Sequence, residues 1–300
     1  MLDPNIFTIR IGGLEWSLRW YAVLIISAIL FGMWISTREL RRRGGDPDWL
    51  WDGLTWALPT ALVGSRLWYV AAAILGGDGR YVQDPFTILH FREGGLHFYG
   101  AMLFGGLAVY VFTRRRRLDL RLILDSVAPA LLFGQAAARP ANLINQELYG
   151  PPTDLPWGIS IAAPYRIPPW TDLSLYPVDQ TRFHPTFAYE MAWNVLAGGL
   201  LLWIGRRYSS RLRPGALFAG WMILAGVGRF WVESFRPDQP VVPGTALSYS
   251  RIASALMAAL GAAVLLVIYG ALRLPFLSPG PPSYVLPEPE GESNAAEPDP

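Results

Sequence analysis

The sequence predicts an all-α polytopic membrane protein of about seven transmembrane helices, with its N-terminus outside and its C-terminus inside. Three observations carry that prediction. Apolar residues make up 52% of the chain and charged residues only 16%, a balance foreign to water-soluble domains. Seven apolar runs, at about 17–37, 50–75, 95–113, 118–137, 185–204, 214–232 and 250–272, approach the roughly 20 residues a helix needs to cross hydrocarbon. Arginines, which supply all 25 basic residues, gather in alternate connections. Arg38 and Arg41 to Arg43 follow the first run, Arg114 to Arg117 the third, and Arg206, Arg207, Arg211 and Arg213 the fifth. The positive-inside rule puts those three clusters in the cytoplasm. Because each abuts a span, the clusters read as topology signals and not as a nucleic-acid surface.

The first span opens with Arg19, Trp20 and Tyr21. No short charged leader precedes it, so it is expected to remain as an anchor. The second carries Arg66 within "VGSRLWYV", about nine residues before its outer end. An unpaired Arg there costs several kcal/mol, so a partner in the bundle interior is expected. The third begins "GGLHFYGAMLFGG", whose small residues allow helices to approach closely. His97 and Tyr99 are two apart and, if the helix has begun, face different directions, so one of them is expected to reach a shared site.

The fourth span carries Asp125, expected to be a buried brace between helices, and exits outward into "ARPANLINQELYG", with Arg139, Asn142, Asn145, Gln146 and Glu147. The loop that follows, about 139–184, holds Trp157, Tyr165, Trp170 and Tyr176 among many prolines. That content predicts ordered structure on the membrane surface, either a lid or peptide-binding wall or a structural cap. The fifth span begins "HPTFAYE", in which Pro185 suits a helix's first turn and His184 is either a titrating group or a cap. The sixth ends "GRFWVESFR", where Arg229 and Glu233 share a helix face at i,i+4. For Arg19 and Arg236, near span ends, snorkelling competes with function. Residues 1–273 are expected to form one catalytic domain. Residues 274–300, rich in Pro, Glu, Gly and Ser, are expected to be a disordered cytoplasmic tail.

The chain has no Cys, which excludes disulfides, thiolate metal sites and a cysteine nucleophile of its own. It also lacks Cys/His metal spacing, a Gly-rich phosphate loop and a serine elbow, so no metal or cofactor is expected. Its polar groups sit toward the outer ends of the spans. Arginines there suit a phospholipid head group, gripping phosphate oxygens while His or Tyr acts as general base for an incoming nucleophile. A transporter or flippase for an anionic lipid would also need intramembrane Arg, but such proteins often show internal repeats and midplane sites.

"GQAAARPANLINQELYG", residues 134–150, resembles the signature of prolipoprotein diacylglyceryl transferases, in which Gly-Gln and Arg lead into Asn-aromatic-x-Asn-x-Glu-x-x-Gly. "GSRLWYV", "GGLHFYGAMLFGG", "HPTFAYE" and "GRFWVESFR" resemble other blocks of that family, in its order, from about Arg19 to Arg236. The resemblance implies a multi-pass enzyme of the bacterial cytoplasmic (inner) membrane. It would move a diacylglyceryl group from phosphatidylglycerol to the lipobox cysteine thiol of a preprolipoprotein signal peptide, releasing glycerol phosphate. It also implies that Arg139, the signature arginine, and Arg229 lie near the lipid phosphate and act in catalysis. Asn142, Asn145, Glu147 and Gly150 match the rest of the signature, and Tyr21, Arg66, Glu190, Glu233 and Arg236 fall on further polar positions of the blocks; with His184 they are expected to bind phosphatidylglycerol. Many members carry a His, taken as the base, where this chain has Tyr99, and His97 is the available substitute. Ala138, Pro140 and Ala141 replace a usual Gly-x-Gly frame and Leu143 an aromatic, departures that an inactive relative would also show.

Overall fold

A computed structural model describes residues 5–11, 14–90, 94–236, 239–273 and 280–287. Seven long helices account for the seven apolar runs: α1 (Trp20–Arg42), α2 (Asp48–Leu75), α4 (Phe98–Arg115), α5 (Leu120–Ala138), α7 (Thr186–Arg207), α8 (Ala216–Val232) and α9 (Tyr249–Ile268). Two short ones join them, α3 (Arg80–Gln83) and α6 (Pro140–Ile144). Among the described residues, six helices are long and apolar enough to cross a membrane. The third expected span, α4, is not among the six. It is helical, but at 18 residues its glycines, tyrosines and terminal Arg114 and Arg115 dilute its apolar content. Large apolar side chains such as Leu75, Leu196, Leu256 and Trp56 lie exposed on helix faces, as hydrocarbon-facing residues do. The protein is an all-α polytopic membrane protein, with one addition. Strands β1 (Asn5–Ile11) and β2 (Leu14–Arg19) form an antiparallel hairpin that leads directly into α1.

The chain divides into two compact units, the first comprising 1–36 and 124–283, the second 37–123 and 284–300. In the first unit, α5, α7 and α8 bury Ala128, Leu132, Ala197, Leu201, Leu217 and Ala225, with Trp193, Trp221 and Met257 packed against them. Small residues set the helix spacing. A Cβ on Gly226 would meet Ser254 O at 2.6 Å, and one on Gly261 would meet Ala219 O at 2.8 Å, so α8 and α9 touch almost backbone to backbone.

Asp125, fully buried on α5, accepts hydrogen bonds from Gly215 N (2.6 Å) and Phe218 N (2.8 Å) at the start of α8. Its carboxylate satisfies N–H groups that a helix's first turn cannot bond internally, and it meets the positive end of the helix dipole. Asp125→Ala is expected to lower stability by about 1–3 kcal/mol, read as an earlier thermal unfolding transition in detergent. Asp125→Asn keeps one acceptor and should lose less.

The loop between α6 and α7 is ordered around its own aromatic core of Tyr149, Ile161, Trp170 and Phe183. The Tyr149 hydroxyl donates to Tyr165 O at 3.1 Å and accepts from Ile167 N at 2.7 Å. Buried Arg166 donates to Ile161 O (3.0 Å) and to Tyr176 O, and its guanidinium lies 5.1 Å from the Phe183 ring centre. These bonds fix the loop's backbone without long secondary structure.

In the second unit, α2 and α4 meet along a seam of small residues. The Gly100 Cβ position is 2.3 Å from Gly64 O, and that of Gly105 is 3.2 Å from the Ala61 Cβ. Arg66 is buried here, and its guanidinium is committed to backbone: Nε donates to Ile88 O (2.9 Å), Nη1 to Gly94 O (2.7 Å) and Nη2 to Thr87 O (2.8 Å). Gly95 lets the chain pass this group, since it sits at φ +72° and a Cβ would meet Arg66 Nη1 at 2.5 Å. Arg66 therefore braces the segment leading into α4. In the expected tail, residues 274–279 and 288–300 lie outside the described residues. Val285 N donates to Asp119 Oδ2 at 3.1 Å.

Candidate functional site

The signature segment supplies the first wall of the site, in the first unit. Pro140 has no N–H, so the α5 ladder cannot continue through it, and the Ala136 carbonyl is taken instead by Arg139 N at 3.1 Å. α5 ends at Ala138, α6 begins at Pro140, and Arg139 stands at the joint. The turn after α6 is closed by side chains. Asn142 Nδ2 and Asn145 Nδ2 both donate to Glu147 Oε1, at 3.0 and 3.1 Å. Gln146 and Leu148 take positive φ, 51° and 56°, and Gln146 Oε1 accepts from Ala162 N at 2.8 Å, tying the turn to the loop that leads to α7.

Two arginines meet one carboxylate. Arg139 Nη2 lies 2.5 Å from Glu190 Oε1 on α7, and Arg229 Nη1 on α8 lies 3.6 Å from Glu190 Oε2. Arg229 Nη2 is also 3.1 Å from Glu233 Oε2, one helical turn on. Glu233 Oε1 accepts from Ser248 Oγ at 3.1 Å, and Arg229 Nε donates to Ser250 Oγ at 3.3 Å. Glu190 and Glu233 are buried, whereas the two arginine side chains stay 20% and 28% exposed. Arg139 Nη1 makes a long bond to Asn142 Oδ1 at 3.4 Å, and Arg139 Nε has no hydrogen-bond partner among the described residues. The carboxylates hold both guanidinium groups in place, and Arg139 keeps donors to spare for an anion.

Beside this network Gly150 closes a tight junction. Its N–H donates to His184 O at 2.8 Å, and a Cβ would come within 2.9 Å of Phe235 O, Thr186 Cγ2 and His184 Cβ. His184 Nδ1 lies 2.9 Å from the Tyr189 hydroxyl, which also accepts from Trp157 Nε1 at 2.8 Å. The Tyr189 hydroxyl thus links His184 to Trp157, and it can serve Nδ1 as donor or as acceptor. Trp157 and Tyr189 line an open apolar groove of about 520 Å³ with Leu143, Ile159, Pro185 and Phe187. The groove suits hydrocarbon.

The family model described as prolipoprotein diacylglyceryl transferase matches residues 6–267. The chain belongs to the prolipoprotein diacylglyceryl transferase family. Relatives named phosphatidylglycerol–prolipoprotein diacylglyceryl transferase are similar over most of their length. One from Synechococcus elongatus is 35% identical over 98% of this chain and 95% of its own. One from Thermosynechococcus vestitus is 37% identical over 84% and 89%, and one from Chloroflexus aggregans 36% identical over 79% and 78%. The family's members are transferases, and so is this protein.

Of the residues matched to this family from sequence, Arg139, Asn142, Asn145, Glu147, Glu190, Arg229 and Glu233 form one network, with Gly150 and His184 beside it. Arg236 follows directly, its N–H donating to Glu233 O at 3.1 Å. Tyr21 is exposed at the start of α1 and makes no hydrogen bond to the network among the described residues. His97 and Tyr99 lie in the second unit, and the condition for their helical offset, a helix already begun at His97, is not met. His97 precedes α4 with extended backbone (φ −118°, ψ 128°), so the helical offset does not apply and the two rings stack, centres 5.4 Å apart, beside Trp68. Sequence reasoning did not place Ser248 and Ser250 in the site. Ser248 caps α9, accepting from Arg251 N, a signal legible before an apolar run, but nothing local ties it to Glu233.

Proposed function

We propose that this transferase moves the diacylglyceryl group of phosphatidylglycerol to the lipobox cysteine thiol of a preprolipoprotein in the bacterial cytoplasmic membrane. The single observation that supports the reading best is the Arg139–Glu190–Arg229 cluster, a fixed pair of guanidinium groups among apolar spans. The substrate thiolate attacks the glyceryl carbon bonded to the phosphate oxygen. A C–S bond forms, the C–O bond breaks, and the phosphate leaves with the electron pair as glycerol phosphate. Its charge rises from one to two during that step. Arginines aimed at it bind the transition state more tightly than the lipid, which is what accelerates the reaction. Asn142, Asn145 and Glu147 hold the turn that carries Arg139, and the groove beside Tyr189 takes hydrocarbon of the substrate.

Where the family carries a histidine base, at the position of Tyr99 in this chain, His97 is the available substitute for thiol deprotonation in this reading. His97 Nδ1 has no hydrogen-bond partner among the described residues. Arg66 is left out of the phosphate clamp because backbone carbonyls hold its donors. His97→Gln is expected to lower transfer about 10²-fold or more, the usual weight of a general base, whereas Tyr99→Phe should cost only a few-fold. The reverse ranking would give the base role to Tyr99.

The reading as a whole is tested by incubating the purified protein with phosphatidylglycerol and a lipobox peptide. A diacylglyceryl mass gain on the peptide thiol, with glycerol phosphate released, is the expected result. Lipid movement between leaflets with no peptide adduct would favour a flippase, and neither outcome would mark an inactive relative.

A further inference from the structure

A second groove, of about 420 Å³, lies in the other unit between α2 and α4. Trp56, Leu107, Ala108 and Phe112 supply its walls, and Arg115 and Arg116 stand where α4 ends. The walls are mainly apolar, and their one hydroxyl, on Thr60, donates to Trp56 O at 2.7 Å. The rim is the opposite. Arg116 pairs with Asp52 at 3.2 Å while both stay half exposed or more, and Arg114 turns to the Tyr110 hydroxyl at 3.3 Å. The Arg115 side chain has no hydrogen bond or ion pair among the described residues. Arg117 sits at φ 54°, where glycine is favoured, yet a fourth charge is kept there. Of the four arginines only Arg116 has an acid partner among the described residues, Asp52, because the Asp119 carboxylate accepts from the backbone N–H groups of Arg121 and Val285.

A hydrocarbon-lined slot with a cationic end fits one kind of molecule. We propose that this groove binds a single anionic phospholipid of the leaflet that faces the Arg114–Arg117 cluster, one acyl chain in the slot and the phosphate on Arg115 and Arg116. The C-terminal end of α4 presents carbonyls and not N–H groups, so the phosphate contacts must come from the guanidinium forks. A zwitterionic lipid would bring a choline or amine against the same arginines and lose the attraction. Basic pockets between helices on the cytoplasmic side are suited to such head groups. None of these residues belongs to the cluster assigned to transfer.

The test uses full-chain protein carrying Arg139→Ala and Arg229→Ala, which removes lipid binding at that cluster. In nanodiscs of phosphatidylcholine it is titrated with phosphatidic acid, and bound lipid is counted by native mass spectrometry. One saturable molecule per chain is expected, and inorganic phosphate should not displace it. Adding Arg115→Gln and Arg116→Gln should weaken binding about thirtyfold, the factor for two charges removed near an anionic surface. Ala108→Phe, which keeps every charge but fills the slot, should also abolish the saturable site. Unchanged affinity in either variant, with unfolding temperature in pure phosphatidylcholine preserved, overturns the proposal, as does displacement by inorganic phosphate.

Discussion

Arg139→Ala and Arg229→Ala each lower diacylglyceryl transfer by about 10²–10³-fold or more, the weight of a donor aimed at developing charge, with membrane levels unchanged. The geometry gives the reason. Arg139 is fixed at the α5–α6 joint by Pro140 and by Glu190 at 2.5 Å, and Arg229 is held from three sides by Glu190, Glu233 and Ser250. Neither can swing out toward water as a long side chain on a lone helix would. A lysine at 139 keeps the charge but loses the planar fork, so Arg139→Lys should recover only part of the loss. Activity is measured on the peptide substrate with equal amounts of inserted protein. Wild-type rates in both alanine variants would remove the arginines from phosphate stabilisation.

Glu190→Ala is the largest expected loss of stability. That carboxylate is buried between two guanidinium groups, and its removal leaves both cations facing one another without their shared anion. Removing one partner of a buried ionic cluster costs about 3–5 kcal/mol, and the partial exposure of both arginines places the expectation at about 3. Thermal unfolding in detergent reads it. The double variant Glu190→Ala/Arg229→Ala should be less destabilised than the sum of the singles, because the repelling pair is gone. Strict additivity would mean that Glu190 does not couple the two arginines.

The seven helices were legible because an apolar run of about 20 residues is its own signal, and each helix begins and ends within a few residues of the run that predicted it. The hairpin was overlooked for the same reason. Asn5–Ile11 and Leu14–Arg19 flank Gly12 and Gly13, a two-residue hairpin signal that a scan for long apolar stretches passes over. Within the site, the local arrangement around "ARPANLINQELYG" followed from nearby residues, with Pro140 breaking the helix and the amides meeting Glu147. The ion-pair network did not. Arg139 and Glu190 are separated by 51 positions, and only tertiary packing brings them together. His97 and Tyr99 came out stacked because the helix starts one residue later than the helical-offset argument assumed.

The central claim is that Arg139 and Arg229 together hold the phosphate of the lipid. Equilibrium binding of phosphatidylglycerol to purified protein, in phosphatidylcholine nanodiscs and without peptide, tests it directly. Arg115→Gln and Arg116→Gln are carried in every sample so that only one lipid site is counted. The account predicts saturable binding that Arg139→Gln/Arg229→Gln weakens by about a hundredfold, two lost charge-assisted contacts at roughly 1.5 kcal/mol each. Equal affinity in the two proteins would contradict it.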